Sequence, residues 1–505
     1  MTQKKLASLD LSLFDQSICS KLKVKFCIYF ALVFFFQESI SYGQKKQNIL
    51  PNESIKYLRL SDGKILFEKD SQQTLCPASI TKLFTTGYML DIFGSNHSFF
   101  TEFFYTGKIK DSRITQDLIV KGGGDPLFTS EDLWKIISDL RSRGIRGVDG
   151  NLIIDQSFFQ APLRDPKLTK NLMKSERSYA SPISSLGVNF NTVTISIFPG
   201  NTVGEKALVA LSPYMLNGIK LINNTTTVSS KQTTKIKVKR IINKENGQIK
   251  FEVLGTVSTR ESQKKYYRSI PTVKNLPGAY IKAFFAENNI PIKGEVQDGL
   301  LPSHAKNLIR YQSKSLVEIL KSTNTFSNNY MSDILVNHIG RTYQTNMREG
   351  STESTFTTGI DELKQYMIKT LGIKSKFHIN SGSGLTTENR ISADQVIALL
   401  VHMASNYPLF NHFINTLPQV GHEGSFINRF DAKEYQAWKQ GIYAKTGTLL
   451  HPITVSALAG YFYHPKHKFI AFAIIQNGRI NNTQPQLGKL QKSQDLHLHK
   501  IYNSF

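Results

Sequence analysis

The sequence predicts an α/β (α+β) protein in which helices and apolar strands at the two ends of the chain enclose a β-rich insertion. Three observations lead there. Residues 44–100 and 290–490 carry helical patterning, and near the C-terminus three apolar runs, IYAKT, VSALAGYFY and FIAFAIIQN, have the texture of buried strands. Residues 101–289 instead alternate short strands with turns, as in LIVKGGGDPLF, GNLIIDQSFF and VTISIFPG. With 505 residues the chain is also too long for one ordinary core, so two or three domains are expected and the insertion divides into two subdomains.

In chain order, Lys21, Lys23 and Lys25 precede the apolar run FCIYFALVFFF at residues 26–36, and small residues follow at Ser39, Ser41 and Gly43. This is the layout of a secretory signal peptide over residues 1–43. The run is about half of the roughly 20 residues that span a bilayer, so cleavage near residues 41–43 is expected, with a retained anchor as the alternative. Next, IKYLRL and ILFE flank Ser61-Asp62-Gly63-Lys64, a hairpin signal. Pro77 then opens a helix that carries Leu83, Met89 and Leu90 and stops at Gly94. In the insertion, Lys235, Lys237 and Lys239 share one face of a strand, read as a solvated face. Helical patterning returns near residues 279–288, 316–320 and 328–339. The stretch after Asn477 reads as a surface helix or loose tail, with residues 491–505 as the tail.

Basic side chains number 62 against 38 acidic, a formal charge of +24, and the leader holds only five lysines against three acids. Such a charge attracts anionic surfaces. An exported protein meets anionic envelope polymers rather than nucleic acid. Of the three cysteines, Cys19 and Cys27 lie in the leader, so Cys76 has no partner for an intrachain disulfide and reads as a small buried hydrophobe. No metal or cofactor is expected. The histidines of HPKHK (464–468) and HLH (497–499) lack acidic or cysteine partners and read as surface residues. GGGD at residues 122–125 is followed by no GK[ST] and reads as a turn.

Chemistry concentrates in three short segments. PASITKL at residues 77–83 sets Ser79 and Lys82 one helical turn apart, in a first turn whose free N–H groups favour a developing negative charge. A serine hydroxyl needs a base, and a lysine serves only when neutral. From a reference pKa of about 10.4 that costs roughly 4 to 5 kcal/mol at pH 7, and a second cation nearby would lower the cost. GIYAKTGTLL supplies such a cation in Lys445, on an apolar strand with Thr446, Gly447 and Thr448, where glycine admits a ligand close to the backbone. Between them SNNYMSDIL offers Ser327 and Asn329 at a helix start, where they could relay a proton and hold a substrate amide, or simply cap the helix.

The order SITK, SNN, KTG, with GGGDPLF, SLGVNFNTV, SGSGLTTENRIS, GHEGSFINRF and LAGYF, resembles the low-molecular-mass class C penicillin-binding proteins, the D-alanyl-D-alanine carboxypeptidase/endopeptidase family. The likeness covers about residues 50–480. It implies a penicillin-binding transpeptidase/β-lactamase-like domain, an antiparallel sheet flanked by helices, with two inserted domains between positions 82 and 327. It further implies Ser79 as nucleophile, Lys82 as its base, and Ser327 and Asn329 in proton relay and amide contact. Lys445 and Thr446 would hold the terminal carboxylate, and the N–H groups of Ser79 and Thr448 would form the oxyanion hole. The implied partners are peptidoglycan peptides and, as covalent inhibitors, β-lactams; the implied place is the periplasm or cell wall. Asn328, where the family carries Asp, and Ser381, where its motif begins with Asp, depart from the pattern. A serine β-lactamase or esterase on the same site, and a non-catalytic polymer-binding protein, stay open from the residues alone.

Overall fold

The computed structural model describes residues 52–504 apart from 213–215, 217, 244–247, 271–274, 348–351, 423, 428 and 479–485. The expected signal peptide lies outside the described residues. Among the described residues no helix is long and apolar enough to cross a membrane.

The chain starts with β1 (Asn52–Arg59) and β2 (Ile65–Lys69), the expected hairpin, and passes through a 3-10 turn at Ala78–Thr81 into α1 (Lys82–Tyr88). The insertion follows, with β3 (Phe100–Tyr105), β4 (Leu118–Gly122), α2 (Ser130–Ser142), β5 (Leu152–Asp155), α3 (Pro166–Leu172), β6 (Thr192–Phe198) and β7 (Leu208–Ser212). It continues with β8 (Ile219–Val228), β9 (Lys235–Ile242), β10 (Ile249–Ser258), β11 (Lys264–Ser269), α4 (Leu276–Glu287), β12 (Val296–Asp298) and β13 (Lys306–Gln312). The chain then returns through α5 (Leu316–Thr325), α6 (Asn329–Met347), α7 (Thr355–Lys369), α8 (Ala393–Ser405) and α9 (Tyr407–Thr416). It closes with β14 (Ile442–Leu449), β15 (Val455–His464), β16 (Lys468–Asn477) and α10 (Leu487–Asn503).

The first and last strands form one antiparallel sheet in the order β14-β15-β16-β1-β2. The runs VSALAGYFY and FIAFAIIQN are apolar throughout because both faces of this sheet are covered. Ala457, Ala459, Tyr461, Ala471, Ala473 and Ile475 face one core with Leu83, Phe84, Leu335, Val396 and Leu400 of the helices. Their alternates Leu458, Phe462, Ile470, Phe472 and Ile474 face a second core with Leu498 and Ile501 of α10. Of the two expectations for the C-terminal stretch, surface helix or loose tail, the helix holds: four buried positions of α10, Leu490, Gln494, Leu498 and Ile501, recur at helical spacing and bind it to the sheet.

In the insertion, β12-β5-β4-β3-β13 form one sheet, and β7-β6-β11 and β8-β10-β9 two smaller ones. Their buried side chains, among them Phe103, Ile154, Ile195, Val253 and Phe285, make one continuous core. The boundary expected at residue 289 therefore shifts, because β13 pairs with β3 from Phe100↔Gln312 to Tyr105↔Lys306 and carries the sheet to residue 312. The alternation of Lys235, Lys237 and Lys239 falls on β9, a sheet edge, where exposed lysines discourage strand addition.

His464 is buried rather than on the surface, and its ring stacks on that of His467. His499 is half-buried and stacks on Trp438. These rings fill the second core's edge, which apolar-versus-polar patterning does not reveal.

Candidate active site

The sheet places one of its edges beside the start of α1. On β14, Ala444 N–H donates to Pro418 O and Val420 N–H to Ile442 O, so the main-chain groups of residues 442 and 444 point away from β15. With a period of two, those of Thr446 and Thr448 point the same way, into the open part of the edge. Lys445 Nζ donating to Thr446 O at 2.8 Å fits that direction.

The turn carrying Ser79 meets this edge at close range. A Cβ on Gly447 would lie 2.6 Å from Pro77 O and 3.1 Å from Ser79 N, so only glycine lets the two backbones approach. Ala78, just before Ser79, has φ +47, a strained value for a residue with a side chain. Two contacts hold it. Thr81 Oγ1 donates to Ala78 O at 2.8 Å, and Gly384 leaves room for that same carbonyl, 2.0 Å from where its Cβ would be. Asn477, at the end of β16, clamps the chain two residues before Ala78: Cys76 N–H donates to its Oδ1 at 2.8 Å and its Nδ2 donates to Cys76 O at 3.0 Å. The Cys76 thiol is buried, which pushes its pKa up and leaves it an apolar filler. Ser79 itself is half-buried, and it sits in a 3-10 turn rather than the first α-helical turn expected.

Lys82 is fully buried. Its Nζ donates to Asn329 Oδ1 at 2.7 Å and to the Ser383 carbonyl at 2.6 Å, and lies 3.1 Å from Ser79 Oγ. Burial pushes its pKa down to about 7, Asp333 holds it up and Arg164 lowers it further. Lys445 is fully buried too and donates to Ser327 Oγ at 2.8 Å. Its pKa is held well below the usual lysine value, by burial first and by Lys82 second. This corrects the expected source of the Lys82 shift. Lys82 owes its shift first to desolvation, and the cation that lowers it further is Arg164 rather than Lys445.

The segment SNN divides its work. Asn328 caps α6, its Oδ1 accepting from Met331 N–H at 3.1 Å, while Ser327 and Asn329 on either side reach the two lysines. Capping and site contacts were alternatives in the sequence; both occur, on different residues. Asn and Asp cap equally well, so the departure at Asn328 is geometrically silent. Ser381 is buried, bonds Ser383 Oγ at 3.0 Å and supports the loop that offers the Ser383 carbonyl to Lys82.

All eight residues singled out in the sequence thus lie around one point: Ser79, Lys82, Ser327 and Asn329 on the helical side, and Lys445, Thr446, Gly447 and Thr448 on the sheet edge. A cavity of about 750 Å³ opens there, walled on its far side by Asp165, Lys167, Asn171 and Tyr179 of the insertion. Sequence reasoning missed the Ser383 carbonyl and the buried pair Arg164–Asp333. Asp333 stands four residues after Asn329 on α6, a helical spacing that could have marked it; Arg164 left no signal.

Residues 47–496 match the D-Ala-D-Ala carboxypeptidase 3 (S13) family. The chain belongs to this family. It is thereby a serine hydrolase of the D-alanyl-D-alanine carboxypeptidase class, and the resemblance read from SITK, SNN and KTG holds. The chain is similar to a D-alanyl-D-alanine carboxypeptidase of Actinomadura sp. (strain R39), with 29% identity over 430 residues that cover 82% of this chain and 76% of the relative. It is also similar to the D-alanyl-D-alanine carboxypeptidase DacB of Haemophilus influenzae, 22% identical over 83% of this chain and 84% of the relative. In fold it matches penicillin-binding protein 4 (dacB) of Haemophilus influenzae with a TM-score of 0.69 at 20% identity, covering 89% of this chain and 96% of that one. A penicillin G acylated predatory endopeptidase of Bdellovibrio bacteriovorus matches with a TM-score of 0.51 at 14% identity, covering 89% and 92%.

Proposed function

We propose that this S13 peptidase is a penicillin-sensitive D-alanyl-D-alanine carboxypeptidase or DD-endopeptidase that cuts peptidoglycan peptides through an acyl-enzyme on Ser79. The observation that carries the reading is the Lys82 amine, buried, pushed toward neutrality and 3.1 Å from Ser79 Oγ. Neutral Lys82 takes the hydroxyl proton as Oγ attacks the carbonyl carbon of the scissile amide. The carbonyl oxygen gains the negative charge and is held by the N–H groups of Ser79 and Thr448, a pair of donors whose loss typically costs about 10²–10³ in rate per donor. Collapse expels the amine, which receives the proton from Lys82 with the Ser327 hydroxyl as relay. Water then hydrolyses the ester by the same route. The role of Asn329 is to hold Lys82 and bind the substrate amide.

Lys445, Thr446 and Gly447 receive the terminal carboxylate of a carboxypeptidase substrate. An arriving carboxylate favours the charged form of Lys445 and offsets the burial that disfavours it. Action on the cell wall goes with export to the periplasm or wall, supported by the lysine-flanked apolar run before residue 44. The basic surface, including Lys235 and Lys237, would favour anionic envelope polymers.

Incubation of the mature protein with muropeptides tests the reading, with products identified by mass. Free D-alanine assigns carboxypeptidase action and monomers released from cross-linked dimers assign endopeptidase action. Intact muropeptides together with rapid turnover of penicillin would replace the reading by a β-lactamase; neither reaction would leave a polymer-binding protein.

A further inference from the structure

An ion pair of Arg164 and Asp333 lies wholly inside the protein. Arg164 is 4% exposed and Asp333 is fully buried, with Arg164 Nε donating to Asp333 Oδ2 at 2.7 Å. The pair is incompletely satisfied: among the described residues Asp333 Oδ1 and Arg164 Nη2 have no hydrogen-bond partner. A buried pair with spare valences adds little stability over apolar side chains of the same volume, so stability is a poor reason for its presence. Its position suggests another. Asp333 is one turn along α6 from Asn329, the residue that holds Lys82 Nζ. Arg164 comes from the insertion, where it also donates to Ser181 O at 3.1 Å. It immediately precedes Asp165, which caps α3 by accepting from Leu168 N–H at 2.7 Å, and Asp165, Lys167 and Asn171 wall the cavity beside Ser79.

We propose that Arg164 and Asp333 are positioning residues for the reaction, together fixing α6 against the cavity wall and supplying the field in which Lys82 exchanges its proton. This rests on the reading of Lys82 as base. Among the described residues, the groups that face Lys82 from the elements packed on it are few. They are Ser79 on the 3-10 turn, Asn329 and Asp333 on α6, Arg164 before α3, the Ser383 carbonyl, and Lys445 on β14. Of these, Asp333 favours the ammonium and Arg164 the neutral amine, and the carboxylate has the larger effect.

The two charges therefore act in opposite senses, and that is the test. The rate constant for acylation of purified protein by a fluorescent penicillin is measured against pH for wild type, Arg164→Met, Asp333→Asn, the double variant and Arg164→Lys. Wild type acylates faster as pH rises through the Lys82 transition. Arg164→Met leaves the carboxylate alone and moves that limb up by about 0.5–1 pH unit; Asp333→Asn leaves the guanidinium alone and moves it down by a similar amount. Arg164→Lys keeps the charge and leaves the limb in place. A merely structural pair would lower the amount of activity in every variant and shift no limb, and that result overturns the inference. Should a single variant fail to fold, the charge-free double variant decides: a limb below wild type supports the inference and an unmoved limb overturns it. If wild type itself shows no acylation, the reading of the site fails instead.

Discussion

Two fully buried lysines define the site at the scale of residues. Each is a folded-state base with a depressed pKa, so between about 7 and 10.4 the unfolded chain binds protons that folded Lys82 does not, and folding gains stability as pH rises through that window. Removing a buried ammonium removes this cost. Lys445→Met is therefore expected to raise the melting temperature, more at pH 6 than at pH 9, and an unchanged or pH-independent difference would contradict the assigned burial. The same variant should acylate with penicillin about 10²-fold more slowly, through lost carboxylate capture worth about 1.5–3 kcal/mol, with the acidic limb of its pH profile unmoved. For Lys82→Ala a loss comparable to Ser79→Ala is expected. The double variant should be scarcely worse, because residues acting as one unit are not additive; multiplicative losses would show that they act separately.

Elements set the distances between these residues. The approach of β14 to the Ser79 turn depends on Gly447, so Gly447→Ala should slow acylation at least tenfold (about 1.4 kcal/mol) while circular dichroism stays that of wild type. Full activity in that variant would mean that the edge has slack. At α6, Asn328→Asp should leave melting temperature and acylation close to wild type, whereas Asn328→Ala loses the cap and about 1 kcal/mol of stability by denaturant titration. Much of this was legible in the sequence. The helical run between Pro77 and Gly94, the three apolar strands and the spacing of Ser79 and Lys82 follow from local pattern, whereas Asn329 was brought to the site by the family resemblance. What sequence could not show is contact between positions far apart in the chain. Arg164 and Asp333 are separated by 169 positions, the Asn477 clamp on Cys76 spans 401, and a carbonyl such as that of Ser383 carries no side-chain signature at all.

In the whole molecule the insertion does more than occupy the gap between SITK and SNN. Its main sheet closes through β3 and β13, which brings the chain back beside its point of departure and lets residues 312–477 complete the domain begun by β1 and α1. Composition could place the insertion but not this closing strand, since an edge strand such as KNLIRYQ alternates no more clearly than its neighbours. One wall of the cavity thus belongs to the insertion and the other to the sheet edge, with Ser79 between them. The central claim is that Ser79 is the nucleophile of this arrangement. Its most direct test is intact-mass measurement after incubation with penicillin, followed by peptide mapping. A single adduct on the peptide containing Ser79, absent from a folded Ser79→Ala variant, is the expected result; an unmodified wild type, or an adduct on any other residue, would contradict it.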